Sequence, residues 1–265
     1  MTPEERKKLA KRRKRNASMM HWGRIGVQIL FFIFYPALFS QAFGVVKSAF
    51  ASIGKGTAID VTAFTTKFLV LCVMTIMVGR IFCGWICAFG AVGDWFYQIG
   101  QWIQKKKKKK LPAIPEKIQI FLQKTKYLIL LGIILLCVTG NNDIITKNSP
   151  WTVFSMIAAG NFSVGSYGIA LLLLGIIVLG MIVKERFFCQ FLCPLGAVFS
   201  LLPENPLTKL KRNQEQCIPN CTLCKRNCPV ALKLQENENR DGECICCGRC
   251  RVVCPKGNIK RNKVK

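Results

Sequence analysis

Residues 80–92 read RIFCGWICAFGAV, and residues 186–198 read RFFCQFLCPLGAV. Both segments begin with arginine, hold two cysteines with three residues between them, and end in Gly-Ala-Val. Each follows a long apolar run, so the chain reads as two parallel halves that end in the same element. Repeats of this kind place equivalent elements around a pseudo-twofold axis. The sequence therefore predicts that four cysteines lie close together: Cys83, Cys87, Cys189 and Cys193.

The spacing of these cysteines leaves three interpretations open. Residues at i and i+4 share one face of a helix, and four converging thiolates suit a zinc ion or an iron–sulfur centre. The pairs could instead be redox-active dithiols, or small residues that allow close helix packing. Arg80 and Arg186 favour the first two interpretations, because a neighbouring cation stabilises a thiolate. Their alternative role is to anchor the helices at the membrane interface.

Four apolar runs predict transmembrane helices, because each approaches the roughly 20 residues that span a bilayer. The third run contains Gln123, Lys124 and Lys126 in its first half, and we expect these side chains to reach toward the interface. The predicted spans are Ile25–Val46, Val61–Gly79, Ile118–Thr139 and Tyr167–Val183.

The basic residues of the chain lie beside the apolar runs. The 265 residues carry a formal charge of +26, which first suggests a nucleic-acid-binding protein. We exclude that class, because the cations flank the predicted spans as the positive-inside rule describes. They concentrate before the first span, at residues 105–110 and in the tail. This distribution predicts a multi-pass protein of the inner (cytoplasmic) membrane with both termini in the cytoplasm.

The tail carries two tandem cysteine motifs. The second is C-x2-C-x2-C-x3-C-P, the spacing of bacterial two-cluster ferredoxins, and the first differs only in a C-x3-C opening. Zinc ribbons lack the fourth Cys-Pro in this spacing. Since the fourth cysteine of each motif ligates the other cluster, we predict two [4Fe–4S] clusters and leave Cys246 as a non-ligand. The predicted ligands are Cys217, Cys221, Cys224 and Cys254 for one cluster, and Cys228, Cys244, Cys247 and Cys250 for the other.

Together these patterns predict an all-α membrane protein of four transmembrane helices in two parallel repeats, followed by a small C-terminal α+β two-cluster ferredoxin-like domain. The predicted divisions are a basic segment at residues 1–24, a membrane domain at residues 25–203 and the cluster domain at residues 204–265. A single histidine, His21, cannot supply a bis-histidine haem, and no C-x-x-C-H or nucleotide-binding motif is present. The chain is therefore predicted to conduct electrons.

The apolar spans, the repeated cysteine elements and the tandem tail motifs resemble the NapH/NosR-type polyferredoxin membrane proteins over about residues 22–258. Ala88 stands where the family's first element has proline, and Pro194 keeps the proline in the second. The large extracytoplasmic flavin domain of NosR-type proteins has no counterpart here, so a short NapH-like protein is the closer resemblance.

The resemblance implies an electron-transfer subunit of a quinol dehydrogenase-like oxidoreductase, with quinone as the substrate. The implied partners are the membrane and redox proteins, either an acidic cytosolic donor or an extracytoplasmic reductase or flavoprotein. The tail from residue 204 holds 14 Lys and Arg against 6 Asp and Glu, which suits an acidic partner. Two other functions remain alternatives: a metallocentre assembly or metal-reducing factor, and a redox regulator.

Overall fold

A computed structural model describes residues 3–57, 63–108, 115–163, 165–203, 210–212, 217–230, 232 and 242–261. Helices form most of this described part, and two short strands pair near its end. The helices are α1 Pro3–Phe34, α2 Leu38–Lys55, α3 Ala63–Val78, a π-helical turn Phe82–Ile86, α4 Ala88–Lys107, α5 Glu116–Val138, α6 Asn142–Lys147, α7 Pro150–Ala158, α8 Gly168–Val183, α9 Phe187–Phe191, α10 Pro194–Leu201, α11 Leu223–Arg226 and α12 Arg249–Val253, and the strands are β1 Leu210–Arg212 and β2 Ile259–Arg261.

The first predicted span, Ile25–Val46, was wrong in its bounds. Helix α1 ends at Phe34 and α2 begins at Leu38, so the apolar run is broken between them. Pro36 lies in this break, where it lacks an N–H donor and its ring clashes with the carbonyl four residues earlier in a continuing helix. The segment that is long and apolar enough to span a membrane is Ala10–Phe34.

The prediction of four transmembrane helices was also wrong. Within the described residues, two segments are long and apolar enough to cross a membrane, Ala10–Phe34 and Lys117–Val138. Helices α3 and α8 occupy the predicted spans Val61–Gly79 and Tyr167–Val183 but have 16 residues each. That is fewer than the roughly 17–25 residues of a spanning helix. Residues 61–62, at the start of the predicted second span, lie outside the described residues.

The predicted C-terminal α+β domain was wrong as well. The described residues of the tail form the short helices α11 and α12 and one antiparallel strand pair, in which Lys211 lies opposite Lys260. This is too little regular structure to define an α+β domain. The predicted boundary after Pro203 adjoins residues 204–209, which are outside the described part, so the domain division stays a prediction.

The repeat is visible in the order of the elements. The first half runs α3, π-helical turn, α4, and the second half runs α8, α9, α10. Helix α4 packs against α8, and α5 packs against both α2 and α10. Phe89 and Phe188, one from each half, meet with ring centroids 4.4 Å apart in the shared core. The two cysteine elements therefore face each other across the interface between the halves.

The outer faces of the two candidate spans are apolar. Trp22, Ile33 and Phe34 on α1 and Phe121 and Leu128 on α5 are between 65% and 73% exposed. Contiguous exposed apolar surface of this kind is uncommon on water-soluble monomers. It suits helices that face lipid.

A buried ion-pair network joins α1, α4 and the second half of the repeat. Asp94, on α4, accepts hydrogen bonds from Arg186 Nε at 2.7 Å and from Gln28 Nε2 at 2.9 Å, and it pairs with Arg24. Asp94 and Arg186 are 1–2% exposed. Burial opposes ionisation of Asp94, but Arg186 and Arg24 outweigh it and hold the pKa of the carboxyl below its usual value. The ionised carboxylate thus neutralises cations from two distant segments.

We expect Asp94→Asn to destabilise the protein by about 3–5 kcal/mol, because it leaves two buried guanidinium groups without their common anion. Thermal unfolding of the detergent-solubilised chain measures this change. Asp143→Asn is the matched control, since Asp143 is an exposed residue of α6. Equal melting temperatures for the two variants would contradict a stabilising role for Asp94.

Candidate functional site

A cavity in the tail is lined by the four cysteines of the first predicted cluster: Cys217, Cys221, Cys224 and Cys254. Cys224 lies in α11, and Cys254 directly follows α12. Because α11 packs against α12, the first motif lies beside the end of the second. Arg212, on β1, donates from Nε and Nη2 to Cys217 Sγ at 3.1 and 2.9 Å.

A second cavity is lined by the cysteines of the second predicted cluster: Cys228, Cys244, Cys247 and Cys250. Cys228 comes from the first motif, so the structure places each fourth cysteine with the other motif's triad. Burial raises the pKa of Cys228 to about 11 and raises that of Cys247 as well. Ionised thiols in this cavity therefore require a compensating positive centre.

Cys246 lines neither cavity, although it neighbours Cys247 in sequence. Its backbone has a left-handed φ of 50°, which turns the side chain to the carbonyl of Val78 at 3.4 Å. Its own carbonyl accepts a hydrogen bond from Trp85 Nε1 at 3.3 Å. Cys246 thus contacts the end of α3 and the first cysteine element of the repeat.

The four repeat cysteines are buried, with exposures of 5–7%, and they belong to one core cluster. Cys87 and Cys193 occupy equivalent places, immediately before α4 and α10. The thiol of Cys193 accepts a hydrogen bond from Gly196 N at 3.1 Å. The second cysteine of each pair is therefore fixed at a helix N-terminus, where N–H groups favour a thiolate.

The electrostatic environment of these thiols is mixed. Burial raises the pKa of Cys193 well above its usual value, and the charges of neighbouring Cys189 and Cys83 would raise it further. Burial also raises the pKa of Cys189, while Arg186 acts in the opposite direction. All four thiols belong to the same buried cluster. Four thiolates in this space would need a cationic centre among them.

Each repeat arginine reaches across to the other half. Arg186 Nη2 donates to the carbonyl of Gly84 at 3.2 Å, and its Nη1 donates to Cys83 O. A Cβ at Gly90 would collide with the Arg186 guanidinium. In the second half, a Cβ at Gly196 would lie 2.9 Å from Arg80 Nη2. At both glycines a guanidinium therefore occupies the space that a side chain would take. Both arginines are buried, so they are not interfacial anchors.

Glu243 links the tail to Arg80 of the first cysteine element and to helix α5. Its carboxylate accepts hydrogen bonds from Arg80 Nη1 at 3.1 Å and Tyr127 OH at 2.8 Å, and it pairs with buried Lys126. The expectation that Lys126 reaches toward the interface was therefore wrong. Burial opposes ionisation of Glu243, but Arg80 and Lys126 prevail and lower the pKa of the carboxyl. The residue that follows Glu243 is Cys244, so this anion positions the second cavity.

Sequence reasoning missed the acidic members of both networks. Asp94 and Glu243 look like ordinary charges in a basic chain, and their partners are 92 and 163 residues away. The available signal was the position of Asp94, an acid a few residues after a repeated cysteine element and inside a largely apolar helix. Arg212 and Arg24 carried no recognisable motif.

Among the described residues, no group of three or more His, Cys, Asp or Glu side chains is close enough to hold a single metal ion. A four-iron cube holds its four thiolates around a larger body than one ion does. The two tail cavities, each with four cysteines on its wall, have the donor set that such a cube requires. The residues present therefore fit iron–sulfur clusters.

Known proteins match this chain in a consistent way. A family model described as a 4Fe-4S binding domain matches residues 63–110 and 168–212, which hold the two repeat elements. Two uncharacterized proteins of Methanocaldococcus jannaschii, MJ0749 and MJ0750, are each 31% identical, over 73% and 86% of this chain and 68% and 90% of their own lengths. Ferredoxin-type protein NapH of Haemophilus influenzae is 27% identical over 68% of this chain and 61% of its own. No solved structure matches.

Apolar candidate spans and cysteine-lined cavities, taken with these relatives, define an iron–sulfur electron-transfer protein of the membrane. The chain belongs to the family of NapH/NosR-type polyferredoxins, which confirms the resemblance seen in the sequence.

Gly84→Ala tests how the tail is seated on the first cysteine element. A Cβ at Gly84 would collide with the carbonyl of Ile245, so we expect the tail to detach more often. Trypsin should cleave the tail about fivefold faster or more, since about 1 kcal/mol of lost docking changes the open population by that factor.

Gly175→Ala is the control for helix propensity, because a Cβ at Gly175 on α8 would meet nothing within 4 Å. Equal cleavage rates in Gly84→Ala and Gly175→Ala would show that Gly84 does not seat the tail.

Proposed function

We propose that this protein passes electrons between the membrane quinone pool, or an acidic cytosolic donor, and a partner redox protein. Two [4Fe–4S] clusters in the tail would supply the one-electron chemistry. Oxidation of one quinol releases two electrons and two protons, so a pair of one-electron acceptors matches one turnover. The observation that carries the proposal is the sorting of eight tail cysteines into two cavities, four on each wall.

The proposed ligands are the two sets that line these cavities. Arg212 is suited to support Cys217 as a cluster ligand, because two guanidinium N–H groups donate to its sulfur. Arg249 occupies the corresponding place beside Cys247 and lowers the pKa of that thiol against the effect of burial. A guanidinium near one ligand of each set offsets part of the negative charge that four thiolates bring.

We also propose a third centre, held by the repeat cysteines Cys83, Cys87, Cys189 and Cys193. Arg80 supports it, because its buried guanidinium interacts with Cys83 and Cys193, one cysteine of each pair. A Cβ at Gly196 would be 2.9 Å from Arg80 Nη2 and 3.3 Å from Cys193 Sγ. The guanidinium and this thiol thus border the same space, as expected beside an anionic, thiolate-ligated group. The matched 4Fe-4S binding segments contain all four cysteines.

The termini are proposed to lie on the cytoplasmic face. The tail contacts α1 near Ala17 and Met20, next to the basic N-terminal stretch. It also contacts α5 near Lys126 and Tyr127, in the N-terminal half of that helix. The tail thus lies beside the basic N-terminal stretch, and basic segments next to a span face the cytoplasm.

Iron counting of the anaerobically purified full chain tests the cluster assignments. We expect more than eight irons per chain, of which about eight belong to the tail. Cys217→Ser and Cys244→Ser should each remove about four irons, whereas Cys246→Ser should remove none. A loss of iron in Cys246→Ser equal to that in Cys244→Ser would contradict the assignment.

The third centre is tested by changing the four repeat cysteines to alanine together. The count should fall to about eight irons, and one species should vanish from the EPR redox titration. A count of about eight in the unchanged chain, unaltered by the four substitutions, would show that these cysteines are dithiols or packing residues.

The acidic-partner proposal rests on exposed cations of the tail, including Arg251 on α12 and Lys256 at the first cavity. Changing both to glutamate should lower the association rate with an acidic flavodoxin or ferredoxin about tenfold or more at low salt. Stopped-flow kinetics at several ionic strengths measures this. Lys55→Glu, an exposed site on α2, is the control. A rate independent of salt in the unchanged protein would exclude electrostatic docking.

A further inference from the structure

A third cavity lies between α1 and the tail. It has a volume of about 210 Å³. Its wall combines apolar side chains, arginines and one ligand of the second predicted cluster. The lining residues are Ala17, Met20, His21, Arg24, Asn227, Cys247, Arg249 and Val253.

Arg24 marks this cavity as a binding site. The residue is 5% exposed, and its Nη2 pairs with Asp94. Its buried Nη1 has no hydrogen-bond partner among the described residues. A buried guanidinium N–H without an acceptor is costly to leave in a folded protein. Nη1 therefore calls for an acceptor oxygen supplied by a bound molecule.

The charges around the cavity indicate the class of that molecule. Arg24 and Arg186 share Asp94, and Arg249 pairs with Glu185 at 2.7 Å. Three cations therefore face two carboxylates. This near balance suits an uncharged ligand with a carbonyl or hydroxyl oxygen better than a multiply charged phosphate.

The position of the cavity adds two further constraints. Helix α1 forms one wall, and its lining residues lie within the candidate membrane span Ala10–Phe34, where a lipid-soluble ligand can reach them. On the opposite wall is Cys247, and Gly248 beside it lies so close to Met20 that a Cβ would be 3.1 Å from the sulfur. A bound ring would thus lie against a ligand of the second cluster.

We propose that this cavity binds the headgroup of a membrane quinone, with Arg24 Nη1 donating to one quinone oxygen. The inference deepens the proposed function, on which it rests, by assigning the residues that receive the quinone. The Arg24–Asp94–Arg186 network also connects this site to the backbone of Cys83, so the quinone, the second cluster and the repeat cysteines are neighbours.

Two variants test the site by different means. Arg24→Lys keeps the charge next to Asp94 but removes the second guanidinium nitrogen. Ala17→Phe fills the cavity without touching the ion pairs. We expect each to weaken binding of menadione to the full chain in detergent by about tenfold or more. Equilibrium dialysis measures affinity without electron transfer. Arg15→Lys and Ser18→Phe are the controls, since both residues are exposed on α1. Iron content and melting temperature of every variant verify its folding.

The outcomes separate the site from the function. Tenfold weakening in both cavity variants, with unchanged controls, supports the assignment. Menadione binding that is equal in all variants, while menadiol still bleaches the oxidised clusters, overturns the site and leaves quinone oxidation standing. If menadione does not bind the unchanged protein and menadiol does not bleach it, the quinone part of the proposed function fails. Binding of inorganic phosphate that Ala17→Phe abolishes, without menadione binding, makes this an anion site and overturns the proposal.

Discussion

Two buried arginines, each neutralised by a carboxylate from a distant segment, hold the molecule together. Arg186 pairs with Asp94, and Arg80 pairs with Glu243. Neither arginine is more than 1% exposed, so each needs its partner carboxylate to compensate for the hydration lost on burial. Both begin a cysteine element, and both reach into the other half of the repeat. The contacts that close the fold thus also place positive charge beside the thiols.

The two halves of the repeat differ at one position that determines where the tail binds. Ser200 occupies in the second half the position that Asp94 has in the first, and a serine cannot neutralise Arg80. Glu243 of the tail supplies the missing anion, and Tyr127 OH lies 2.8 Å from both Ser200 Oγ and Glu243. The tail therefore supplies the anion that the second half of the repeat lacks, and it packs against the helices. Its second cavity is thereby held directly against the first cysteine element.

The sequence was informative where spacing alone carries the chemistry. The tandem motifs grouped the tail cysteines into two sets, and the repeat brought two cysteine pairs together. Hydropathy was less reliable, because Pro36 interrupts an apolar run and α3 and α8 are too short to span a bilayer. Long-range ion pairs leave no local pattern. Lys126 was expected to reach water, yet a carboxylate 117 residues away holds it inside the protein.

The attachment of the tail by Glu243 is the central claim, and hydrogen exchange of Glu243→Gln tests it most directly. Backbone amides at residues 242–248 and at the facing residues 82–90 should exchange at least about tenfold faster than in the unchanged chain, because local opening no longer breaks an ion pair. Amides of α7, remote from Glu243, should keep their rates. Unchanged exchange at residues 242–248 and 82–90 would contradict the account.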